Sequence, residues 1–279
     1  MKQESSLGVL AVLGAGKMGG ILIEAFLKDE LVPPEKIVAT VHHEGTVRRE
    51  FSGRSIAMGT DNRAAARSAD IILLCVKPQT VGTVLKEIGP ELNEQKLVVS
   101  IAASVPTGYI EQHLAGKIPI IRAMPNTPSM VGAGITAICK GKYTQEKHLE
   151  SARKLFDSVG KTVIVDEKHM DAITGLSASG PAFIYIILES LAEGGVKMGL
   201  GRDLATLLAA QTTLGAAKVA LETGFHPALL KDMVTTPAGC TIDGILELEE
   251  GGLRVTLIKA VVKASQRAKE LLFGNASPS

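Results

Sequence analysis

The sequence opens on an apolar run, Leu7-Gly8-Val9-Leu10-Ala11-Val12-Leu13, that passes straight into Gly14-Ala15-Gly16-Lys17-Met18-Gly19. A strand that ends on GxGxxG and continues as an amphipathic helix starts a parallel βαβ unit, because the three glycines meet three different needs. Gly14 gives the tight turn, Gly16 lets backbone approach a pyrophosphate, and Gly19 lets the helix pack on the strand. Unpaired N–H groups at the helix start then face the phosphates. We expect Gly14, Ala15, Gly16, Lys17, Met18 and Gly19 to hold a dinucleotide. The alternative is a structural turn, and the position of the motif between strand and helix favours the ligand.

The acidic residue about 20 positions further on, which would hold an unphosphorylated ribose, is missing. A second strand, Lys36-Ile37-Val38-Ala39-Thr40-Val41, runs instead into His42-His43-Glu44-Gly45-Thr46-Val47-Arg48-Arg49. Neutral and basic groups there suit a 2′-phosphate, with His42 and Arg48 as candidate contacts, since Arg offers bidentate donors to phosphate. NADP(H) is expected, with NAD(H) also admitted because Glu44 is nearby. The competing reading makes Arg48 and Arg49 solvated charges on a helix face.

A chain of 279 residues with 46% apolar content can bury a core and exceeds the common size of one domain. A formal net charge of +1 creates no long-range field for nucleic acid or an anionic membrane, so neither is expected as a partner. Cys75, Cys139 and Cys240 stand apart without CxxC spacing, which fits a reducing compartment, and Met1 to Ser6 shows no secretory pattern. The expected location is cytoplasmic. The histidines form no metal-ligand spacing, and no metal is expected.

Further short apolar runs follow: Ser55–Met58, Ile71–Val76, Leu97–Ile101, Ile118–Arg122, Ile135–Cys139 and Thr162–Val165. Continuous runs of this kind are strands covered on both faces, as in a mostly parallel sheet. Between the last two, Leu149, Ala152, Leu155, Phe156 and Val159 recur at helical spacing, which is read as core packing. Near Asp166 the alternation gives way to helices. Residues 1–165 are therefore expected to be the dinucleotide-binding domain and 166–279 a helical substrate-binding and dimerisation domain.

Pro181 reads as the first residue of a long helix, capped by Ser179 or Gly180. Other helices are expected at about 202–223, 227–234, 241–250 and 253–273. Ala172 to Leu188 carries no charge but is shorter than a membrane span and contains Gly175, Gly180 and Pro181. A helix buried on nearly all sides is expected instead. A domain of about 110 residues has little interior for it, so part of that surface should meet a second subunit.

Ligands collect in loops after strand ends of open α/β sheets. Cys75-Val76-Lys77-Pro78 and Met124-Pro125-Asn126-Thr127-Pro128 are such loops, and Thr235 to Thr241 precedes a helix of the second domain. Each also has a plain structural reading: Lys77 a solvated charge, Asn126 a turn residue, Thr236 with Pro237 a helix cap.

These segments, together with Thr174 to Ala182, Gly194 to Leu200, His226-Pro227, Leu230-Lys231-Asp232 and Thr236-Pro237-Ala238-Gly239-Cys240-Thr241-Ile242, resemble the pyrroline-5-carboxylate reductase family in order and spacing over about residues 8–273. The resemblance implies NAD(P)H-dependent reduction of 1-pyrroline-5-carboxylate to L-proline, the last step of proline biosynthesis. It also implies a homodimer or larger homo-oligomer with the active site at the subunit interface. Carried over by position, Asn62 and Cys75, Val76, Lys77 and Pro78 would flank the adenosine and phosphates. Ala102 and Ala103 would lie near the nicotinamide, with Asn126 a further cofactor candidate. Glu167, Thr236, Gly239, Cys240 and Thr241 would contact substrate, Thr241 as the catalytic residue. The chain departs from the family pattern at Ala178, Thr236, Ala238 and Ser104, and three of these, Ala178, Ala238 and Ser104, stand where the family has glycine.

An imine accepts hydride once its nitrogen is protonated, so the chain mainly has to orient the ring and exclude water. Thr241 can hydrogen-bond the ring nitrogen, either relaying a proton or only orienting the substrate. Two other classes stay open: a reductase of another small cyclic imine or a 3-hydroxy acid dehydrogenase, and a nucleotide-sensing scaffold without catalysis.

Overall fold

A computed structural model describes residues 7–43, 51 and 55–270. All eight expected strands are present: β1 (Leu10–Leu13), β2 (Ile37–Thr40), β3 (Ala57–Gly59), β4 (Ile71–Leu74), β5 (Leu97–Ser100), β6 (Ile120–Met124), β7 (Gly134–Lys140) and β8 (Gly160–Ile164). They form one sheet in the order β3-β2-β1-β4-β5-β6-β7-β8. Every neighbouring pair is parallel except β6 with β7. The exception follows from the connection. Pro125 to Ala133 is too short for the crossover of a dozen or more residues that a parallel return needs.

The runs of β1, β4, β5 and β6 are continuous because both faces of the sheet are covered there, whereas the edge strands β3 and β8, expected to be covered as well, are partly exposed. Leu10 and Val12 of β1 and Ile71 and Leu73 of β4 point into one core, with Leu22, Ile23 and Phe26 of α1 (Lys17–Lys28). Ala11, Leu13, Ile72 and Leu74 point into the other, with Ala65 and Ala66 of α2 (Asn62–Ser68), Val81, Leu85 and Ile88 of α3 (Pro78–Ile88), and Ile110 of α4 (Thr107–Gln112). The alternation is the period-two geometry of a strand. Leu149, Ala152, Leu155 and Phe156 of α5 (Glu146–Asp157) join the first core, as their spacing requires.

After β8 the described chain is helical. A 3-10 turn at Glu167–His169, α6 (Met170–Ile173), a π turn at Thr174–Ala178 and α7 (Gly180–Lys197) follow one another in a helical stretch of 31 residues, Glu167 to Lys197. Helix α7 begins as expected: Ser179 is its N-cap and Pro181 lies in its first two positions, where a missing N–H costs little. The Ser177 carbonyl, four residues before Pro181, accepts from the Asn126 side-chain amide at 3.1 Å. One expectation is corrected: the length argument against a membrane span fails, since this stretch and α8 (Arg202–Thr223) are both long and apolar enough to cross one by length and composition.

The remaining helices are α9 (Pro227–Met233), α10 (Cys240–Glu250) and α11 (Leu253–Glu270). Contacts divide the chain into two compact units, one running to Ala178 and taking in the chain from Ala264, the other Ser179–Lys263. Within the second, α7 meets α8 through Ala192, Ala205 and Ala209, small residues that let helices approach closely. The expectation that the uncharged helix is buried on nearly all sides is not met within one chain. Ile184, Tyr185, Ile186 and Leu191 of α7, and Leu204, Leu207, Leu208 and Leu214 of α8, are exposed.

Candidate active site

In the sheet order the chain reverses direction between β1 and β4, so their C-terminal ends open the crevice where ligands bind in this architecture. Gly14 follows β1 with φ of +94°, in the left-handed region that favours glycine. A Cβ on Gly19 would stand 2.6 Å from the Gly14 carbonyl oxygen and 3.2 Å from the Cys75 Cβ, so that helix α1 closes onto the β1 turn and the end of β4. A Cβ on Gly16 would meet nothing within 4 Å. The backbone there borders open space. No side chain caps α1, its first turn has no acidic residue, and its first internal bond is Gly20 N–H to the Gly16 carbonyl. The N–H groups of Lys17, Met18 and Gly19 precede that ladder, in the arrangement that receives a pyrophosphate.

The turn is braced from β2. Gly14 and Ala15 N–H donate to the Thr40 carbonyl at 3.1 and 2.7 Å, the Thr40 hydroxyl donates to Asn62 Oδ1 at 2.7 Å, and Asn62 Nδ2 donates to Glu87 at 3.0 Å. Asn62 thus fixes the loop from behind. His42 leaves β2 exposed, its ring stacked on His43 at 4.2 Å. Arg48 and Arg49, expected at the 2′-phosphate, lie outside the described residues.

Cys75 follows β4, where burial pushes its thiol pKa up and keeps it protonated, and its side chain packs against the first core. Val76 follows half-buried. Lys77 is exposed at the N-cap of α3 with Pro78 at its first position. Ala102 is buried and Ala103 half-buried in the loop after β5, beside Ser104, whose φ is +67° and whose buried hydroxyl has no partner among the described residues.

Asn126 is occupied by the protein. Its carbonyl oxygen accepts the Ile135 N–H at 2.9 Å while its amide serves Ser177. Glu167 is likewise engaged. Its carboxylate accepts from the Thr107 N–H and the Thr107 hydroxyl, both at 2.7 Å, and lies 3.5 Å from Arg122 Nη1. Arg122 reaches Asp171 with Nη2 at 3.2 Å. Sequence reading missed this buried arginine. A charged residue inside the apolar run Ile118–Ala123 was the available signal, since such a charge needs partners. Burial, with Glu167 near, pushes the neighbouring Cys139 thiol up to about 12.

The other group of candidates lies in the second unit. Thr236 to Gly239 forms a turn closed by Gly239 N–H to the Thr236 carbonyl at 3.0 Å, with Ala238 at φ +55°. A Cβ on Gly239 would displace the Thr236 hydroxyl and press on the Thr236 carbonyl oxygen at 3.1 Å, so a side chain there would disturb the turn. Gly239 is the N-cap of α10 without a side-chain cap, which leaves the N–H groups of Cys240 and Thr241 at an open helix start. Among the described residues nothing engages the Thr236 or Thr241 hydroxyl. Cys240 is exposed, Thr241 half-buried. The loop can hold an anion on its N–H groups and present two hydroxyls to it.

Comparison with known proteins agrees along the whole chain. Residues 167–271 match the family described as pyrroline-5-carboxylate reductase dimerisation, and residues 9–104 the family described as NADP oxidoreductase, coenzyme F420-dependent. The pyrroline-5-carboxylate reductase of Methanosarcina acetivorans is 46% identical over 94% of this chain and 97% of its own. That of Glycine max is 43% identical over 94% and 95%. The Plasmodium falciparum pyrroline carboxylate reductase, solved with NADP bound, superposes with a TM-score of 0.87 at 30% identity, over 95% of this chain and 98% of that one. A mostly parallel sheet with a glycine-rich first turn, a helical second half that matches a dimerisation family, and this identity over nearly the full length place the chain in the pyrroline-5-carboxylate reductase family.

Proposed function

We infer that the chain reduces 1-pyrroline-5-carboxylate to L-proline as an NADP(H)-dependent oxidoreductase. The observation that carries the reading is the Thr236–Thr241 loop: two unengaged hydroxyls and the free N–H groups of an uncapped helix start, in a chain that also holds an uncapped glycine-rich helix start at its β1 turn. The nicotinamide, when bound, supplies the hydride to C5 of the ring, and the ring nitrogen ends with a proton. The chain's own residues bind and orient. Lys17, Met18 and Gly19 N–H groups take the pyrophosphate, backed by Asn62, and Cys75 to Pro78 border it. His42 takes the side of the adenosine ribose, with Arg48 the candidate the sequence offers for its 2′-phosphate, and Ala102 and Ala103 border the nicotinamide. Asn126 contributes by holding its loop. Thr236, Gly239, Cys240 and Thr241 receive the substrate, the N–H groups taking its carboxylate and the Thr241 hydroxyl the ring nitrogen.

In this reading residues 1–165 bind the dinucleotide, and 166–279 bind substrate and build a homodimer, with larger assemblies open. The exposed apolar faces of α7 and α8 meet a second subunit, neither a membrane nor nucleic acid, in the cytoplasm. The test follows NADPH oxidation with 1-pyrroline-5-carboxylate, with a larger cyclic imine, and in reverse with a 3-hydroxy acid. The five-membered imine should give the highest kcat/KM, and NADPH should exceed NADH. Replacing Arg48 and Arg49 with alanine should cost NADPH alone about 1.5–3 kcal/mol. Preference for either other substrate overturns the assignment.

A further inference from the structure

We propose that Glu167 is a positioning residue that acts through Thr107 to fix the loop bordering the nicotinamide, and that it does not touch substrate. The inference rests on the proposed place of Ala102 and Ala103 in the reading above. It starts from where the carboxylate is spent. One oxygen accepts the Thr107 backbone N–H and the other the Thr107 hydroxyl, both at 2.7 Å, and Arg122 approaches the first at 3.5 Å. One hydrogen bond to each oxygen, both from Thr107, with a guanidinium beside the first, commit the orientation of the carboxylate to Thr107. The arrangement is also held from behind: the Arg122 side chain is only 4% exposed and is fixed in turn by Asp171 at 3.2 Å.

Thr107 opens α4, and Pro106 at its N-cap offers no side-chain hydrogen bond, so Glu167 is what satisfies that helix start. Upstream, Ile101 N–H donates to the Leu74 carbonyl at 3.1 Å and ties the loop to the sheet. Between these anchors Ala102 N–H donates to the Ser100 hydroxyl at 3.3 Å and Ala102 and Val105 pack in the core, so Ala103 and Ser104 are the residues held least directly. Ser104 sits at φ +67°, a conformation a non-glycine residue keeps only where its surroundings over-determine it. Release of the Thr107 anchor therefore moves the loop rather than unfolding α4, whose Ile110 stays in the core. A shift of about 1 Å at a positioning element is enough to slow a transfer about a hundredfold.

The test compares wild type, Thr107→Val, Thr107→Ser, Glu167→Gln and the Thr107→Val/Glu167→Gln double variant. Measured are kcat, KM for the imine, the isotope effect with NADPH deuterated at C4, and the emission of bound NADPH, which reports how the ring is held. Thr107→Val and Glu167→Gln should each lower kcat about ten- to a hundredfold and raise the isotope effect, with KM for the imine little changed. Thr107→Ser should restore both, and the double variant should be no worse than the poorer single one, because both break one linkage. A Thr107→Val enzyme that behaves as wild type, beside a Glu167→Gln enzyme with raised KM, makes Glu167 a substrate contact and overturns the proposal. So do additive losses, or unchanged isotope effect and emission. If wild type reduces no pyrroline carboxylate, the functional reading fails instead, and the NADPH emission still decides the positioning role.

Discussion

At the scale of single residues, two departures from the family's glycine pattern fall where the backbone has positive φ. Ser104 stands at +67° and Ala238 at +55°. A left-handed conformation costs a non-glycine residue about 1–2 kcal/mol, partly offset because glycine gains freedom in the unfolded chain. Ser104 adds a buried hydroxyl without a partner among the described residues. Ala238→Gly should therefore stabilise by about 0.5–1 kcal/mol and Ser104→Gly by about 1–2 kcal/mol. Denaturant midpoints should rise at unchanged slope, and a fall at either position would refute the strain argument there. Ala178, the third departure, packs against buried Met124, Ala137, Cys139 and Met170, so its methyl has a place. Thr241→Ala tests the site directly. Its hydroxyl is unengaged by the described protein, so fold and NADPH affinity should survive, while kcat/KM for the imine drops about ten- to a hundredfold for a bond worth about 1.5–3 kcal/mol. Thr241→Ser should recover most of it. An alanine variant with full activity removes Thr241 from the mechanism.

At the scale of elements, the helix ends carry the pH dependence. Helix α5 starts with a capping box in which the Gln145 side chain accepts from the His148 N–H and His148 Nδ1 accepts the Gln145 N–H at 3.0 Å. Burial, with Lys147 beside it, holds the His148 imidazole below the ordinary histidine range. Protonation also removes the accepting lone pair. A depressed pKa in the folded state means that the unfolded chain binds more protons below about 6.5, so stability present above that pH is lost as pH falls through it. His148→Gln keeps a suitable residue for the box and removes the titration. The fall in Tm between neutral and mildly acidic buffer should shrink in this variant, and an unchanged fall would assign it to other groups. Helix α7 follows the same rule of satisfied ends: Pro181 stands in its first two positions, where no donor is needed, and the Asn126 amide serves the Ser177 carbonyl before it.

At the scale of the molecule, α7 and α8 of the second unit expose large apolar side chains. Leu207 and Leu214, two turns apart on α8, are 63% and 60% exposed. The match to a dimerisation family makes a second copy the partner. Leu207→Glu with Leu214→Glu places charges where an apolar contact is expected without touching the α7–α8 seam of Ala192, Ala205 and Ala209. Sedimentation should show the mass fall to that of one chain, with activity lost and helix content kept. An unchanged mass moves the subunit contact to another face.

All eight strands, the glycine-rich turn and the helical second half were legible in the sequence, because these depend on local periodicity and on residues whose backbone chemistry is special. What neighbours do to each other was not. Nothing local in Asn126 reports that its amide is spent on the Ser177 carbonyl, 51 residues away. Nothing in Glu167 reports that Thr107 and Arg122 occupy its carboxylate. Arg122 carries a charge that had to be paired, but which carboxylates pair it is fixed by strand order, and strand order by long-range packing. The sequence by itself determined which elements form and which chemistry the loops can carry. Only the tertiary structure decided which polar groups are already spent on the protein, because a hydrogen bond across the fold has no signature along the chain.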